Sequence, residues 1–105
     1  MSFGLSEQEK ALITGIFERY PNIEQVKIFG SRAKGNFRSN SDIDLVLWGQ
    51  ISISQLARIA GELDELPLPY TFDIKVYEKI RRQSLSEHIH RVGKTFYERR
   101  RLFCK

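Results

Sequence analysis

The stretch that decides the fold is residues 28–49, IFGSRAKGNFRSNSDIDLVLWG. An apolar run ends in Gly30-Ser31, a basic polar segment follows, and the next apolar run begins with Asp42-Ile43-Asp44. Alternate residues of a strand share a face, so the two aspartates are expected to point the same way. Two carboxylates so placed repel each other and are costly near a core. The pattern therefore predicts a compensating group beside this strand.

The composition is that of a soluble globular domain. The chain has 105 residues, 41% apolar and 29% charged, which fits a single domain over 1–105. No apolar stretch is long enough to span a bilayer and the N-terminus lacks the features of a signal peptide, so we expect a cytoplasmic protein without membrane contact. Cys104 is the only cysteine, which excludes a disulfide framework and a thiolate metal site.

The charge balance points to partners that carry phosphate. The net charge is +4 and the isoelectric point is near 9.4, with the basic excess gathered in residues 30–38, 79–83 and 98–105. Outside these short runs we recognise no module that would bind a template, so direct nucleic-acid binding is not expected. The C-terminal basic run is equally well explained as a solvated tail.

Hydrophobic periodicity predicts a chain that alternates between helices and strands. Ser6 followed by Glu9 forms a capping box at the start of the first helix. We expect an α/β (α+β) fold: a small mixed β-sheet with helices packed on one face and the aspartate-bearing face open. The predicted elements are helices Glu7–Tyr20, Ser54–Leu66 and Leu85–Arg100, strands Gln25–Phe29, Asp42–Trp48 and Tyr70–Tyr77, and a short helical turn over 31–35.

A third carboxylate, Asp73, interrupts the last of these strands. If the strands that carry Asp44 and Asp73 are neighbours, a strand spacing of about 4.8 Å brings the acidic side chains together. Mg²⁺ prefers such hard oxygen ligands, and two ions roughly 3.5–4 Å apart can clamp the oxygens of a phosphoryl transfer. The alternative is structural: Asp73 could form an ion pair with Lys75 or Arg32, and Asp42 could be a polar residue that begins a strand.

Gly30 and Ser31 lie where an anion site is expected. A strand that ends in Gly-Ser before a helical turn presents backbone N–H groups that attract phosphate. Arg32, Lys34 and Arg38 lie within reach of the same phosphates. A nucleoside triphosphate with Mg²⁺ fits this cradle and the aspartates together. The alternative is that Ser31 only caps a helix and Gly30 only ends a strand.

The spacing G-S-x10-D-x-D resembles the signature of the DNA polymerase β-type nucleotidyltransferase superfamily. The blocks VKIFGSRAKG, SDIDLVL and FDIKVYEKI extend the resemblance to the minimal nucleotidyltransferases, the MNT group, over about residues 5–97. The resemblance implies that Asp42 and Asp44 bind metal, that Asp73 completes the site and activates the acceptor, and that Gly30, Ser31, Arg32 and Lys34 bind the nucleotide.

The same resemblance implies a reaction and a partner. MNT proteins pair with a small helical HEPN protein encoded beside them, a toxin that the MNT member silences as antitoxin. We therefore expect Mg²⁺-dependent transfer of NMP, AMP from ATP, to a hydroxyl acceptor such as a tyrosine of the HEPN toxin. The alternatives are a non-catalytic antitoxin that acts by complex formation and, less favoured, a small-molecule adenylyltransferase of the aminoglycoside type.

The remaining polar and aromatic residues have ordinary structural explanations. His88 and His90 lie two apart on a predicted helix and are expected on the surface. Tyr77 is predicted to share the face of Asp73. Aromatic residues of the last predicted helix are expected in the core, with docking of a partner as the alternative, and they are Phe96, Tyr97 and then Phe103.

Overall fold

The structure, a computed structural model, describes residues 4–30 and 42–99. These residues form helices and strands in the order α-β-β-α-β-α-β, with a short 3-10 turn at Tyr77–Lys79. The helices are α1 (Glu7–Glu18), α2 (Ile53–Asp64) and α3 (Gln83–Val92), and the strands are β1 (Ile23–Phe29), β2 (Ile43–Gly49), β3 (Phe72–Val76) and β4 (Lys94–Glu98).

Serine caps fix the start of the first two helices. The Ser6 hydroxyl accepts a hydrogen bond from the backbone N–H of Glu9, whose carboxylate accepts one from the N–H of Ser6. The predicted capping box is thus confirmed. At α2 the hydroxyl of Ser52 accepts from the N–H of Gln55, so the helix begins at Ile53, one residue before the predicted start.

The strands form one mixed sheet in the order β3-β2-β1-β4. Strand β1 is antiparallel to both β2 and β4, whereas β2 and β3 are parallel. The predicted neighbours, the strands that carry Asp44 and Asp73, therefore do lie side by side. Parallel strands require a crossover connection, and α2 lies within the one that joins β2 to β3.

Each face of the sheet is covered by helix, but unequally. Ile28, Leu45 and Leu47 belong to the main core, with residues of α1 and α2. On the other face Phe29 and Val46 pack with Ile89 of α3 in a smaller cluster. The predicted α/β fold class is confirmed, but the prediction that helices pack on one face only is wrong. Val46 lies on the aspartate-bearing side of β2 and is fully buried, so α3 covers part of the face that was expected to be open.

The prediction of one long helix from Leu85 to Arg100 is wrong. Helix α3 ends at Val92, Gly93 follows with extended backbone, and β4 pairs antiparallel with β1. The segment Lys94–Glu98 contains β-branched and aromatic residues, which favour a pleated strand beside the free edge of β1. Phe96 and Tyr97 therefore pack against the main core from a strand.

No helix in residues 4–30 and 42–99 is both long and apolar enough to cross a membrane. The predicted turn over 31–35 lies outside the described residues.

Candidate active site

The site begins where β1 ends. Gly30 directly follows β1 and has φ +79°, a backbone conformation that side chains with a Cβ rarely adopt. A Cβ at this position would lie 2.5 Å from the Oδ2 atom of Asp44. Phe29 and Asp44 are paired across β1 and β2, so the carboxylate of Asp44 lies against the backbone of Gly30. Gly30 is thus needed for its conformation and for the room it leaves to the acidic side chain.

Strand register brings a second carboxylate beside Asp44. Asp44 of β2 and Asp73 of β3 are direct partners in the parallel pair. Both side chains lie on the face that carries Val46, and Asp42, which directly precedes β2, is exposed. Asp44 and Asp73 therefore lie side by side at one end of the sheet, and the joint role of the three aspartates stays a prediction.

The electrostatics of Asp44 reflect this crowding. Partial burial raises the pKa of the Asp44 carboxyl above its ordinary 3.8, and the negative charges of Asp73 and then Asp42 raise it further. The positive charge of Lys75 acts in the opposite direction. The ionised form of Asp44 is thus disfavoured in the isolated chain, and a cation bound between the carboxylates would remove that cost.

Asp73 has a cationic partner of its own. The Nζ atom of Lys75 donates to both carboxylate oxygens of Asp73, at 3.2 Å to Oδ1 and 3.1 Å to Oδ2. The side chains of Lys75 and Asp73 are 36% and 51% exposed. The structural alternative from the sequence, an Asp73–Lys75 ion pair, is therefore present.

Within residues 4–30 and 42–99, no group of three His, Cys, Asp or Glu side chains is arranged to hold a metal ion. The acidic side chains are close enough to influence one another's charge, but the carboxylate of Asp73 is engaged by Lys75. Ser31, Arg32, Lys34 and Arg38 lie outside the described residues, so their part in nucleotide binding stays a prediction.

Tyr77, which was predicted to share the face of Asp73, packs on that side of the sheet, with the cluster that contains Val46. Its ring stacks on Trp48 at a centroid distance of 4.7 Å, and its hydroxyl lies 2.6 Å from Nε2 of His90 and 2.9 Å from Oγ of Ser86. Tyr77 thus contacts both α3, through Ser86 and His90, and the sheet, through Trp48. His90 is exposed, as predicted, but its contact with Tyr77, thirteen residues away, is not evident from the sequence.

Comparisons with known proteins support the family that the sequence resembles. Residues 11–102 match the family model described as polymerase beta, nucleotidyltransferase. Comparison with curated proteins gives no significant match.

Solved structures share the fold. A toxin–antitoxin crystal structure with AMP-PNP superposes with a TM-score of 0.72 at 19% identity, covering 86% of this chain and 73% of the other. The MntA–HepT toxin–antitoxin gives 0.66 at 18% identity, covering 90% and 74%. The tri-AMPylated Shewanella oneidensis HEPN toxin in complex with MNT antitoxin gives 0.65 at 16% identity, covering 86% and 70%. At such identities the likeness establishes the fold alone.

Proposed function

Because this chain belongs to the polymerase beta nucleotidyltransferase family, we propose that it transfers a nucleoside monophosphate from a nucleoside triphosphate, AMP from ATP, to a hydroxyl acceptor. The observation that carries the proposal is the register pairing of Asp44 with Asp73 beside the Cβ-free backbone of Gly30. It gathers negative charge at one end of the sheet, beside Gly30, the residue that follows β1.

The residues present fit Mg²⁺ as the cofactor. Carboxylate oxygens are the hard ligands that this ion prefers, and the repulsion that raises the pKa of Asp44 is the repulsion that a divalent cation would relieve. Asp42, Asp44 and Asp73 would hold the metal. By resemblance to the family, two ions would be bound. When bound, the metal would offset the charge of the phosphates and of the departing pyrophosphate.

Residues of the chain itself would bind the triphosphate and accept the proton of the acceptor hydroxyl. Ser31, Arg32 and Lys34 bind the triphosphate, with Gly30 letting it approach the backbone. The acceptor oxygen attacks the α-phosphorus, the bond from that phosphorus to the bridging oxygen breaks, and pyrophosphate leaves. Asp73, whose carboxylate is exposed, takes the proton of the attacking hydroxyl.

A partner protein would supply the acceptor. The three solved structures described above are toxin–antitoxin complexes, and one of them holds a tri-AMPylated HEPN toxin with its MNT antitoxin. By this similarity we infer that the chain is an antitoxin, that its partner is a small helical HEPN toxin, and that a tyrosine of the partner receives AMP.

A second candidate is neutralisation by complex formation alone. It is favoured by the absence, among the described side chains, of a ready-made group of three metal ligands. In that case the partner would be silenced without any transfer.

One experiment separates the two. The chain, produced together with the HEPN protein that we infer to be its partner, is incubated with Mg²⁺ and ATP labelled in the α-phosphate. Transfer of label should be abolished in the double variant Asp42→Asn/Asp44→Asn and unchanged in Asp64→Asn, which alters an exposed aspartate on α2 at the other face of the sheet. Labelling that persists in the double variant contradicts the enzymatic role. If the double variant transfers no label but still silences the toxin fully, the second candidate is favoured.

A further inference from the structure

Lys75 occupies a particular place relative to the three aspartates. It follows Asp73 by two residues on β3, so both side chains lie on the same face of the sheet. Its direct partner on β2 is Val46, which places it one row along from the Asp44–Asp73 pair. The lysine is therefore part of the acidic site.

Its contacts are those of a counter-ion. The ammonium reaches both oxygens of Asp73, at 3.2 and 3.1 Å, and its charge also acts on Asp44 against the effect of the neighbouring carboxylates. One lysine thus compensates part of the charge that a divalent cation would otherwise neutralise. An ammonium and a metal ion cannot share the same carboxylate oxygens without repelling each other.

We propose that Lys75 is a positioning residue that holds Asp73 as an internal counter-ion, and that a divalent cation must displace its ammonium before Asp73 joins Asp42 and Asp44. The inference rests on the proposed function, since it concerns the same site. It also explains why carboxylates that face one another do not form a metal-holding group in the part of the chain that the structure describes.

Displacement of the Lys75 ammonium makes binding of the cation depend on binding of the nucleotide. When the cation arrives alone, the freed ammonium is left beside a positive ion. When it arrives with a triphosphate, the ammonium faces an anion on the same side of the sheet, and its repulsion with the metal is offset. The metal alone is therefore held weakly, and binding is completed by the metal–nucleotide complex.

The plainer reading is an exposed ion pair between two residues of one strand, which contributes little. Lys79 provides the matched control. It is an exposed lysine four residues further on, it carries the same charge, and it lies outside the Asp73–Lys75 pair. Replacing either lysine with methionine lowers the net charge equally, so only their different contacts with Asp73 distinguish the variants.

The test is a titration of the full chain with Mn²⁺ in the absence of nucleotide. Electron paramagnetic resonance measures the concentration of free Mn²⁺ and hence the dissociation constant. Relative to Lys79→Met, Lys75→Met should lower the dissociation constant about two- to fivefold, the range expected from losing an exposed ion pair. Lys75→Arg, which keeps the charge, should bind like the unaltered chain. In an Asp73→Asn background, the difference between the two methionine variants should vanish. Circular dichroism checks folding, and Lys75→Gln replaces the methionine variant if that does not fold.

Three outcomes overturn the inference: equal affinities of the Lys75→Met and Lys79→Met variants, weaker binding by Lys75→Met, or a difference that survives Asp73→Asn. If the unaltered chain binds Mn²⁺ and the Lys75→Met and Lys79→Met variants bind it with equal affinity, only the role of Lys75 is refuted. If neither the unaltered chain nor Lys75→Met binds Mn²⁺, with or without ATP, the proposed metal-dependent function fails as well.

Discussion

At the scale of single residues, Gly30 and Asp44 form the contact on which the site depends. The sequence singled out both residues, but for separate reasons: the glycine for close approach of phosphate and the aspartate for metal. The contact between them could not be predicted, because it depends on the register that pairs Phe29 with Asp44. A register is a tertiary property that alternation along one strand does not specify.

Replacing Gly30 with alanine should destabilise the fold by about 1–3 kcal/mol and reduce transfer. The backbone would be strained at φ +79°, and the new Cβ would press on Asp44 Oδ2. Urea unfolding measures the loss. Gly15→Ala in α1 is the control: nothing lies within 4 Å of its Cβ, and alanine is the better helix former, so stability should rise by up to about 1 kcal/mol. Equal effects of both substitutions would contradict the assignment.

The raised pKa of Asp44 predicts a pH-dependent difference between the unaltered chain and Asp44→Asn in the absence of metal. Because burial and neighbouring carboxylates raise the folded pKa above 3.8, the folded state binds this proton more tightly than the unfolded state. The unaltered chain therefore loses stability as the pH rises from 3.8 through the folded pKa.

Asp44→Asn does not ionise and avoids that loss. Its thermal midpoint should exceed that of the unaltered chain by a few degrees at pH 7, and the gain should shrink toward zero below pH 3.8. Thermal denaturation across this range, with a chelator present, measures it. If Asp44→Asn is less stable than the unaltered chain, and by the same margin at pH 7 as below pH 3.8, charge repulsion at Asp44 is ruled out.

At the scale of elements, local signals fixed some boundaries and failed at others. The capping box at Ser6 and the apolar stripe of α1 are contained in a few consecutive residues, so the helix could be predicted. The end of α3 could not, because Ile89, Val92 and Phe96 continue a helical spacing across Gly93. What decides the conformation of Lys94–Glu98 is the unpaired edge of β1, about seventy residues earlier in the chain.

Helices α1 and α2 are joined by a hydrogen bond that no local pattern indicates. The hydroxyl of Tyr20, just after α1, donates to the carboxylate of Glu62 in α2, and the tyrosine is buried. Tyr20→Phe should lower the free energy of unfolding by about 1 kcal/mol, since Glu62 loses its buried donor. Arg19→Gln, which removes an exposed partner of Glu62, should cost less. Urea unfolding at pH 7 compares the two.

The same tyrosine predicts an alkaline transition. Burial first, and then the hydrogen bond and charge of Glu62, raise the pKa of Tyr20 above 10. The stabilisation is fully present below pH 10 and is lost as the pH rises from there through the folded pKa, because the unfolded chain ionises first. Tyr20→Phe should lack this part of the alkaline loss. An identical decline in both proteins would contradict the prediction.

At the scale of the whole molecule, the sequence predicted the α/β fold class and the face that carries the aspartates, but not how that face is divided between packing and the acidic site. Alternation in β2 assigns Asp44, Val46 and Trp48 to one side. Only the tertiary structure shows that α3 covers Val46 and leaves the acidic end uncovered by that cluster. The site is thus at the end of a sheet that is packed on both faces.

The central claim is that three aspartates, together with Gly30 and Ser31 after β1, hold a metal–nucleotide complex, and that Lys75 is displaced when it binds. A crystal structure of the chain with Mg²⁺ and a non-hydrolysable ATP analogue tests it most directly. The prediction is oxygens of Asp42, Asp44 and Asp73 at about 2.0–2.1 Å from Mg²⁺, a triphosphate beside Gly30 and Ser31, and the Lys75 ammonium no longer bonded to Asp73. A nucleotide bound elsewhere, or aspartates with no ion between them, would contradict the account.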